Sequence, residues 1–329
     1  MKVVLHIGTH KTGSSAIQHV LSENRQRLSR HGYLYPKTGS GQRGHHDIAW
    51  AIRSATGGRT PRTAGNGVLD RLREQVEGSK HHTTIISSEE FEFANRPEHL
   101  ALIKRLFGKA EVKVVVYLRR QDKLLLSEYN QHVRMPDTRF AGSIYDFYIR
   151  YNFVNRLNYA ALLKKWAKVF GAENIVVRPF ETGQFVNGNL IDDARQALSI
   201  GKEVDLHIPP GLRANASLSG VASMVLSQAN RRDLDAQTHG RLVELLYEHE
   251  GELRGTEVRL LSERNAQELV ERYAESNQEV ARRFLGRADG ALFREPLPEA
   301  PQYDNGLAER QDKMIEYMTS LLIEIARKK

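Results

Sequence analysis

The chain has 329 residues, of which 40% are hydrophobic and 27% charged, and it carries a formal net charge of +8. That is a globular composition, long enough for one large α/β domain or a domain with a helical appendage. With no cysteine, disulfides, thiolate zinc sites and cysteine nucleophiles are excluded.

The positive excess favours an anionic ligand, without choosing between a nucleotide and an acidic polymer. The charges are dispersed, with no Lys/Arg run, so no nucleic-acid partner is expected. The apolar run after Met1-Lys2 is too short for a signal peptide, and no stretch reaches membrane-spanning length. A cytoplasmic location is the expectation.

In chain order, Val3–Ile7 is a short apolar run rich in β-branched residues and reads as a strand. A helix follows over 14–30, with Ile17, Val20, Leu21 and Leu28 on one face. Residues 36–67, rich in Gly, Thr, Arg and His, read as a long loop with a short helix near Asp47–Ser54. Thr83–Ser87, Val112–Leu118 and Asn174–Phe180 read as further strands, with helical patterns at 97–107, 121–133 and 155–169. From about residue 187 the pattern is almost wholly helical, in Leu190–Leu198, Leu218–Ala229, Leu242–Tyr247 and Leu260–Phe284. A last helix carries Leu307, Met314, Met318, Leu321, Leu322 and Ile325 on one stripe, read as packed core.

Continuous apolar strands separated by helices imply a parallel sheet covered on both faces. The expected architecture is therefore an α/β three-layer sandwich with a central parallel sheet. It is read as one domain over 1–329, with an α/β nucleotide-binding core at 1–185 and a mainly helical part at 186–329.

The strongest chemical signal follows the first strand, at Gly8-Thr9-His10-Lys11-Thr12-Gly13-Ser14-Ser15. A strand–loop–helix element with two glycines exposes backbone N–H groups at a helix N-terminus. With the helix dipole, these bind phosphate or sulfate oxygens. Lys11 adds a mobile positive charge, and Ser14 and Ser15 add hydroxyl donors. In the nucleoside-triphosphatase pattern G-x-x-x-x-G-K-[ST] the lysine follows the second glycine. Here Lys11 precedes Gly13, and Ser14 stands where that lysine would. The alternative is an ordinary tight turn containing a lysine.

The stretch LHIGTHKTGSSAIQ resembles the 5′-phosphosulfate loop of sulfotransferases dependent on 3′-phosphoadenosine-5′-phosphosulfate (PAPS), especially bacterial members with an H-K-[TA]-G-[ST]-[ST] core. The resemblance implies a P-loop kinase-like fold and a cradle made by His10, Lys11, Thr12, Gly13, Ser14 and Ser15. It also implies that Lys11 stabilises the bridging oxygen as the sulfuryl group leaves.

A second segment, VVVYLRRQDKLLLSEYNQ, resembles the family's 3′-phosphate motif, a buried strand ending in Arg with Ser eight residues later. Arg119 and Ser127 fit that spacing, and Arg120 is the alternative register. Gln121 departs from the proline many relatives carry. A strand end that delivers a guanidinium and a helix that delivers a hydroxyl suit one phosphate dianion. The bland reading makes Arg119 a surface ion-pair partner and Ser127 an exposed helix residue. Tyr159 to Trp166, Phe170-Gly171 and IVVRPFE continue the resemblance. The run Arg213-Ala214-Asn215-Ala216-Ser217-Leu218 looks like the family's C-terminal nucleotide loop, which implies cofactor contacts for Arg213 and Asn215. Ser217 reads as a helix cap.

Transfer to a hydroxyl needs a group to take its proton, a carboxylate or a neutral imidazole. The family resemblance puts that base near the end of a strand between the two nucleotide motifs. Here Thr83–Ser87 leads into Ser88-Glu89-Glu90, with Glu89 the first choice and Glu90 the second. Both also read as solvated surface acids. His45 and His46, beside Asp47, could orient an acceptor or supply the base instead, His46 being the one named for it. A contiguous His-His-Asp run seldom makes a tetrahedral metal site, and no metal is expected.

The reading is a sulfotransferase taking PAPS as co-substrate and releasing 3′-phosphoadenosine-5′-phosphate (PAP). Its acceptor is a hydroxyl, by analogy one on a glycan or small glycoside. The rivals are a P-loop small-molecule kinase and a non-catalytic PAP- or anion-binding module of the same fold.

Overall fold

The structure is a computed structural model that describes residues 1–37, 43–57, 67–210, 218–251 and 259–297, with 314, 317, 318, 321 and 325 near the C-terminus. Its strands are β1 (Lys2–His6), β2 (Tyr33–Leu34), β3 (Thr83–Ser87), β4 (Glu111–Leu118) and β5 (Ile175–Pro179). They form one sheet in the order β2-β3-β1-β4-β5, and all four pairings are parallel. Val4 of β1 stands opposite Ile85 of β3 on one side and Lys113 of β4 on the other.

Burial explains the order. β1 and β3 are buried on both faces apart from Lys2, while β5 alternates buried and half-buried residues, as an edge strand does. The chain leaves β1 toward β2 and β3, then crosses back to β4 and β5. The loop after β1 therefore lies at a topological switch point, where open α/β sheets bind ligands beyond the strands' carboxyl ends.

The chain divides into two compact units. The first holds Met1–Arg120, Asn158–Ala214 and Tyr273–Glu295, and the second Gln121–Leu157, Asn215–Arg272 and Pro296–Lys329. In the first unit, Val4, Ile85, Val115 and Tyr117 form one core with Ile17, Leu21, Leu28, Ala194 and Ala197. These belong to the helices Ser14–Glu23, Arg25–Arg30 and Leu190–Ala197. A second set, Pro97–Phe107, Tyr159–Phe170 and Ala274–Leu285, packs together, with Tyr159–Phe170 against β4 and β5. The unit is thus an α/β three-layer sandwich with a central parallel sheet.

The second unit is helical. Gln121–Arg134 packs against Ile144–Arg150, Gly220–Ala229 and Glu263–Arg272. Its core includes aromatic rings in edge-on contact, among them Tyr129, Phe140 and Phe147. Within it, Glu128 and Arg156 form a buried ion pair at 3.5 Å.

The units do not divide at residue 185. Gln121–Leu157 groups with later helices, while Leu190–Ala197 and Ala274–Leu285 belong to the sheet unit. The expected helix 14–30 breaks at Asn24, a buried residue whose side-chain amide donates to the carbonyls of Val20 and His207. The expected helix 260–284 likewise breaks at Tyr273. In the C-terminal stripe, Met314, Met318, Leu321 and Ile325 are helical, whereas Leu307 and Leu322 lie outside the described residues. No helix among the described residues is long and apolar enough to cross a membrane.

Candidate functional site

The loop between β1 and Ser14–Glu23 reverses direction through three residues at positive φ: Gly8 at 48°, Lys11 at 63° and Gly13 at 76°. Glycine is required at two of them. A Cβ on Gly8 would lie 3.1 Å from Glu89 Cα and from Ser14 Oγ, and one on Gly13 would lie 2.3 Å from Leu190 Cδ2. The loop is braced from within, since the Thr9 hydroxyl donates to the Tyr117 carbonyl at 2.9 Å and the Thr12 hydroxyl to the Thr9 carbonyl at 2.6 Å. The Thr12 hydroxyl is therefore spent on the loop, and its N–H is what it can offer a ligand.

At the helix start, the Gly13 carbonyl accepts from the N–H groups of Ala16 and Ile17. The N–H groups of Ser14 and Ser15, in the same first turn, have no intrahelical acceptor. Ser14 is 4% exposed, and its Oγ has no hydrogen-bond partner among the described residues. A buried hydroxyl without a partner costs the fold unless something arrives to satisfy it. Ser15 is exposed in the same turn.

Arg119 joins this loop directly. Its Nη1 donates to the Lys11 carbonyl at 3.0 Å, and its guanidinium lies over the Phe180 ring at 5.6 Å. Tyr159, from the segment that also resembles the family, donates its hydroxyl to the Arg119 carbonyl. Arg120, the alternative register, is buried and donates to the Glu295 carbonyl at 2.8 Å. That favours Arg119 as the residue facing a ligand. Ser127 belongs to the second unit, in the second turn of Gln121–Arg134. Arg213 and Asn215 lie outside the described residues.

The third wall is the turn Glu89–Glu92 after β3. Ser88 caps it, its Oγ accepting from the Glu90 N–H at 3.1 Å and lying 2.8 Å from His46 Nδ1. Glu89 accepts from Gln18 Nε2 at 2.8 Å and lies 3.8 Å from His46 Nδ1. Glu90 is held by Arg53 at 3.3 Å and lies 3.7 Å from His10 Nε2. Burial would raise the Glu90 carboxyl, but hydrogen bonding and charge from His10, with Trp50 and Arg53, outweigh it and hold the group below the usual range. A carboxylate so stabilised is the weaker base.

The two loop histidines divide in role. His45 is buried, and both of its ring nitrogens are engaged by backbone, Nε2 with the Pro36 carbonyl at 3.0 Å and Nδ1 with the Ser87 N–H at 3.0 Å. Burial pushes its pKa down to about 4. It therefore ties the segment before His46–Ala55 to the end of β3, and in this conformation has no nitrogen for an acceptor. His46, half-buried, sets Nδ1 against Ser88 Oγ and near Glu89.

Sequence reasoning missed Glu92, Gln18 and Arg53. Glu92 accepts from the His10 N–H at 3.1 Å, which engages that N–H within the protein. Only the approach of distant segments gives these three residues meaning. Among the described residues, no group of three or more His, Asp and Glu side chains is arranged to hold a metal ion.

No family model matches the chain. An uncharacterized protein of Archaeoglobus fulgidus is 32% identical over 247 residues, covering 71% of this chain and 65% of that protein. This chain thus spans a little under two thirds of the length of that relative. Among solved structures, the crystal structure of a sulfotransferase from Alicyclobacillus acidocaldarius is similar with a TM-score of 0.41 and 17% identity, covering 71% of this chain and 97% of that one.

Proposed function

We propose that the chain is a PAPS-dependent sulfotransferase that moves a sulfuryl group to an acceptor hydroxyl, one on a glycan or small glycoside. The observation that carries the reading is the buried Ser14 hydroxyl, without a partner among the described residues, at the N-terminus of the helix behind the Gly8–Gly13 loop. Together with the Ser14 and Ser15 N–H groups it is a donor set for an anionic group. The HKTGSS spacing, and Arg119 bound to the loop at Lys11, favour a phosphosulfate with a second phosphate nearby.

On this reading Thr12, Gly13, Ser14 and Ser15 hold the 5′-phosphosulfate, and Lys11 meets the charge that develops on the bridging oxygen. Arg119 takes the 3′-phosphate. Glu89 accepts the acceptor's proton as its oxygen bonds to sulfur and the bond from sulfur to the phosphate oxygen breaks. Gln18 and His46 orient that carboxylate. Glu90 serves less well because Arg53 and His10 hold it ionised. His46 is the other candidate base, with Glu89 beside its Nδ1. Positioned Lys, Arg and N–H donors carry the charge, so no metal is required.

The test is transfer from radiolabelled PAPS to a panel of glycosides and polysaccharides, with and without EDTA. Labelled acceptor formed equally well in EDTA is the expected result. Phosphate transfer from ATP, abolished by EDTA, would replace this reading with a kinase.

A further inference from the structure

Glu92 takes part in none of the roles above, yet it is the least exposed carboxylate of the acidic turn and lies against the loop proposed to hold an anion. One of its oxygens, Oε2, accepts from the His10 backbone N–H at 3.1 Å and lies 2.8 Å from His10 Nδ1. A buried carboxylate here would cost the protein twice, through its own desolvation and through repulsion of the ligand.

The imidazole offsets both costs. Nδ1 needs a proton to bond a carboxylate, and Nε2 lies 3.7 Å from a second carboxylate oxygen, Glu90 Oε1. With both nitrogens turned toward carboxylates, the imidazolium is the matching form. Around it, Phe93 packs on the His10 ring at 5.1 Å, and Arg53 lies over Phe93 while reaching Glu90. Lys11 is the next residue in the chain, and Glu89 accepts from Gln18. Lys11 is the non-glycine residue of the loop at positive φ. Such a backbone persists where surrounding contacts over-determine it, and Glu92 fixes the residue before it.

We infer that Glu92 is the positioning residue of the loop, and that the His10–Glu92 couple makes the loop's anion affinity fall as pH rises. The inference rests on the loop being the nucleotide site proposed above. Below the His10 transition the couple is neutral. Above it, the couple carries one more negative charge beside the ligand, so affinity is highest at low pH and falls as His10 deprotonates. Glu92→Gln keeps an oxygen for the His10 N–H and removes the charge. Glu92→Ala removes both.

The experiment is calorimetric titration with PAP from pH 6 to 9 for the wild type, Glu92→Gln and Glu92→Ala. An NMR titration of His10 in the unliganded proteins accompanies it. In Glu92→Gln the His10 midpoint should fall by about one pH unit or more. At pH 9 that variant should bind PAP roughly three- to ten-fold tighter than the wild type, because one repelling charge is gone. Glu92→Ala should bind about tenfold more weakly than the wild type at pH 6, a loss that Gln rescues. Superimposable pH profiles for the wild type and Glu92→Gln, or wild-type affinity in Glu92→Ala, would overturn the inference. If Glu92→Ala fails to fold, the comparison with Gln decides alone. A wild type that binds no PAP at any pH would sink the nucleotide reading, and the His10 midpoints would still decide the coupling.

Discussion

Two segments of the sheet unit, residues 8–15 and 88–92, each follow the carboxyl end of a central strand, and they are built in opposite ways. The first, proposed above as an anion cradle, is mostly backbone, so its requirements are local. It needs positive φ at defined places and N–H groups at a helix start, and two glycines and four small hydroxyl residues fall within its eight consecutive positions. The second is a set of carboxylates whose chemistry is set by their neighbours. Glu89 takes its character from Gln18 and His46, Glu90 from Arg53 and His10, and Glu92 from His10. A cradle can be read from its own residues, whereas an acid–base group can be read only once the fold has assembled its surroundings.

The sharpest way to break this contrast is to remove one basic group while leaving its shape. Glu89→Gln should lower transfer by about 10²–10⁴-fold, the usual contribution of a general base, with PAP affinity nearly unchanged. Rates measured with labelled PAPS decide it. An active Glu89→Gln beside an inactive His46→Ala would move the base to the imidazole. Lys11→Ala comes next, with turnover expected to fall about 10²–10³-fold and PAP affinity far less, as for a charge stabiliser that acts in the transition state. Unchanged turnover would take Lys11 out of the mechanism.

Arg119→Ala should weaken PAP about 10–100-fold, since bonds to charged groups contribute ~1.5–3 kcal/mol each. Arg119 also braces the loop through the Lys11 carbonyl. Adenosine 5′-phosphosulfate, which lacks the 3′-phosphate, should therefore lose some affinity too, but less than PAP. Equal losses for the two nucleotides would reduce Arg119 to a brace of the cradle.

The strands Thr83–Ser87 and Glu111–Leu118 and the helix Pro97–Phe107 were legible because buried β-branched runs and a proline at a helix start are local signals. β2 was not legible, because two residues, Tyr33 and Leu34, carry no period. The division of the chain was not legible either. Gln121–Arg134 has the same amphipathic pattern as the helices on the sheet, and nothing local says which unit it joins. At the proposed site, the HKTGSS spacing and the strand end before Arg119 are local signals of the same kind. Glu92 and Gln18 looked like any exposed acid and amide of a helix or turn. Their partners stand 82 and 71 residues away.

A separate expectation concerns stability near these strand ends. His6 and His45 are both buried, and burial lowers each pKa to about 4. The folded chain therefore resists protons that the unfolded chain takes up below about pH 6.5. The stability each neutral ring contributes is complete above that value and is lost as pH falls toward 4. The loss is at most about 1.4 kcal/mol per pH unit for each histidine. Urea midpoints measured from pH 7 to 4 should fall across that window, and His45→Asn should make the fall shallower. A midpoint flat over the window would contradict the burial of both rings.

The central claim is that the loop after β1 and Arg119 together form a site for a nucleotide with a 3′-phosphate. Calorimetric titration of the wild-type protein with PAP, adenosine 5′-phosphosulfate and ATP with magnesium tests it most directly. The account predicts that PAP binds at least about tenfold tighter than either of the others, the difference one charged hydrogen bond makes. Tighter binding of ATP with magnesium than of PAP would contradict it.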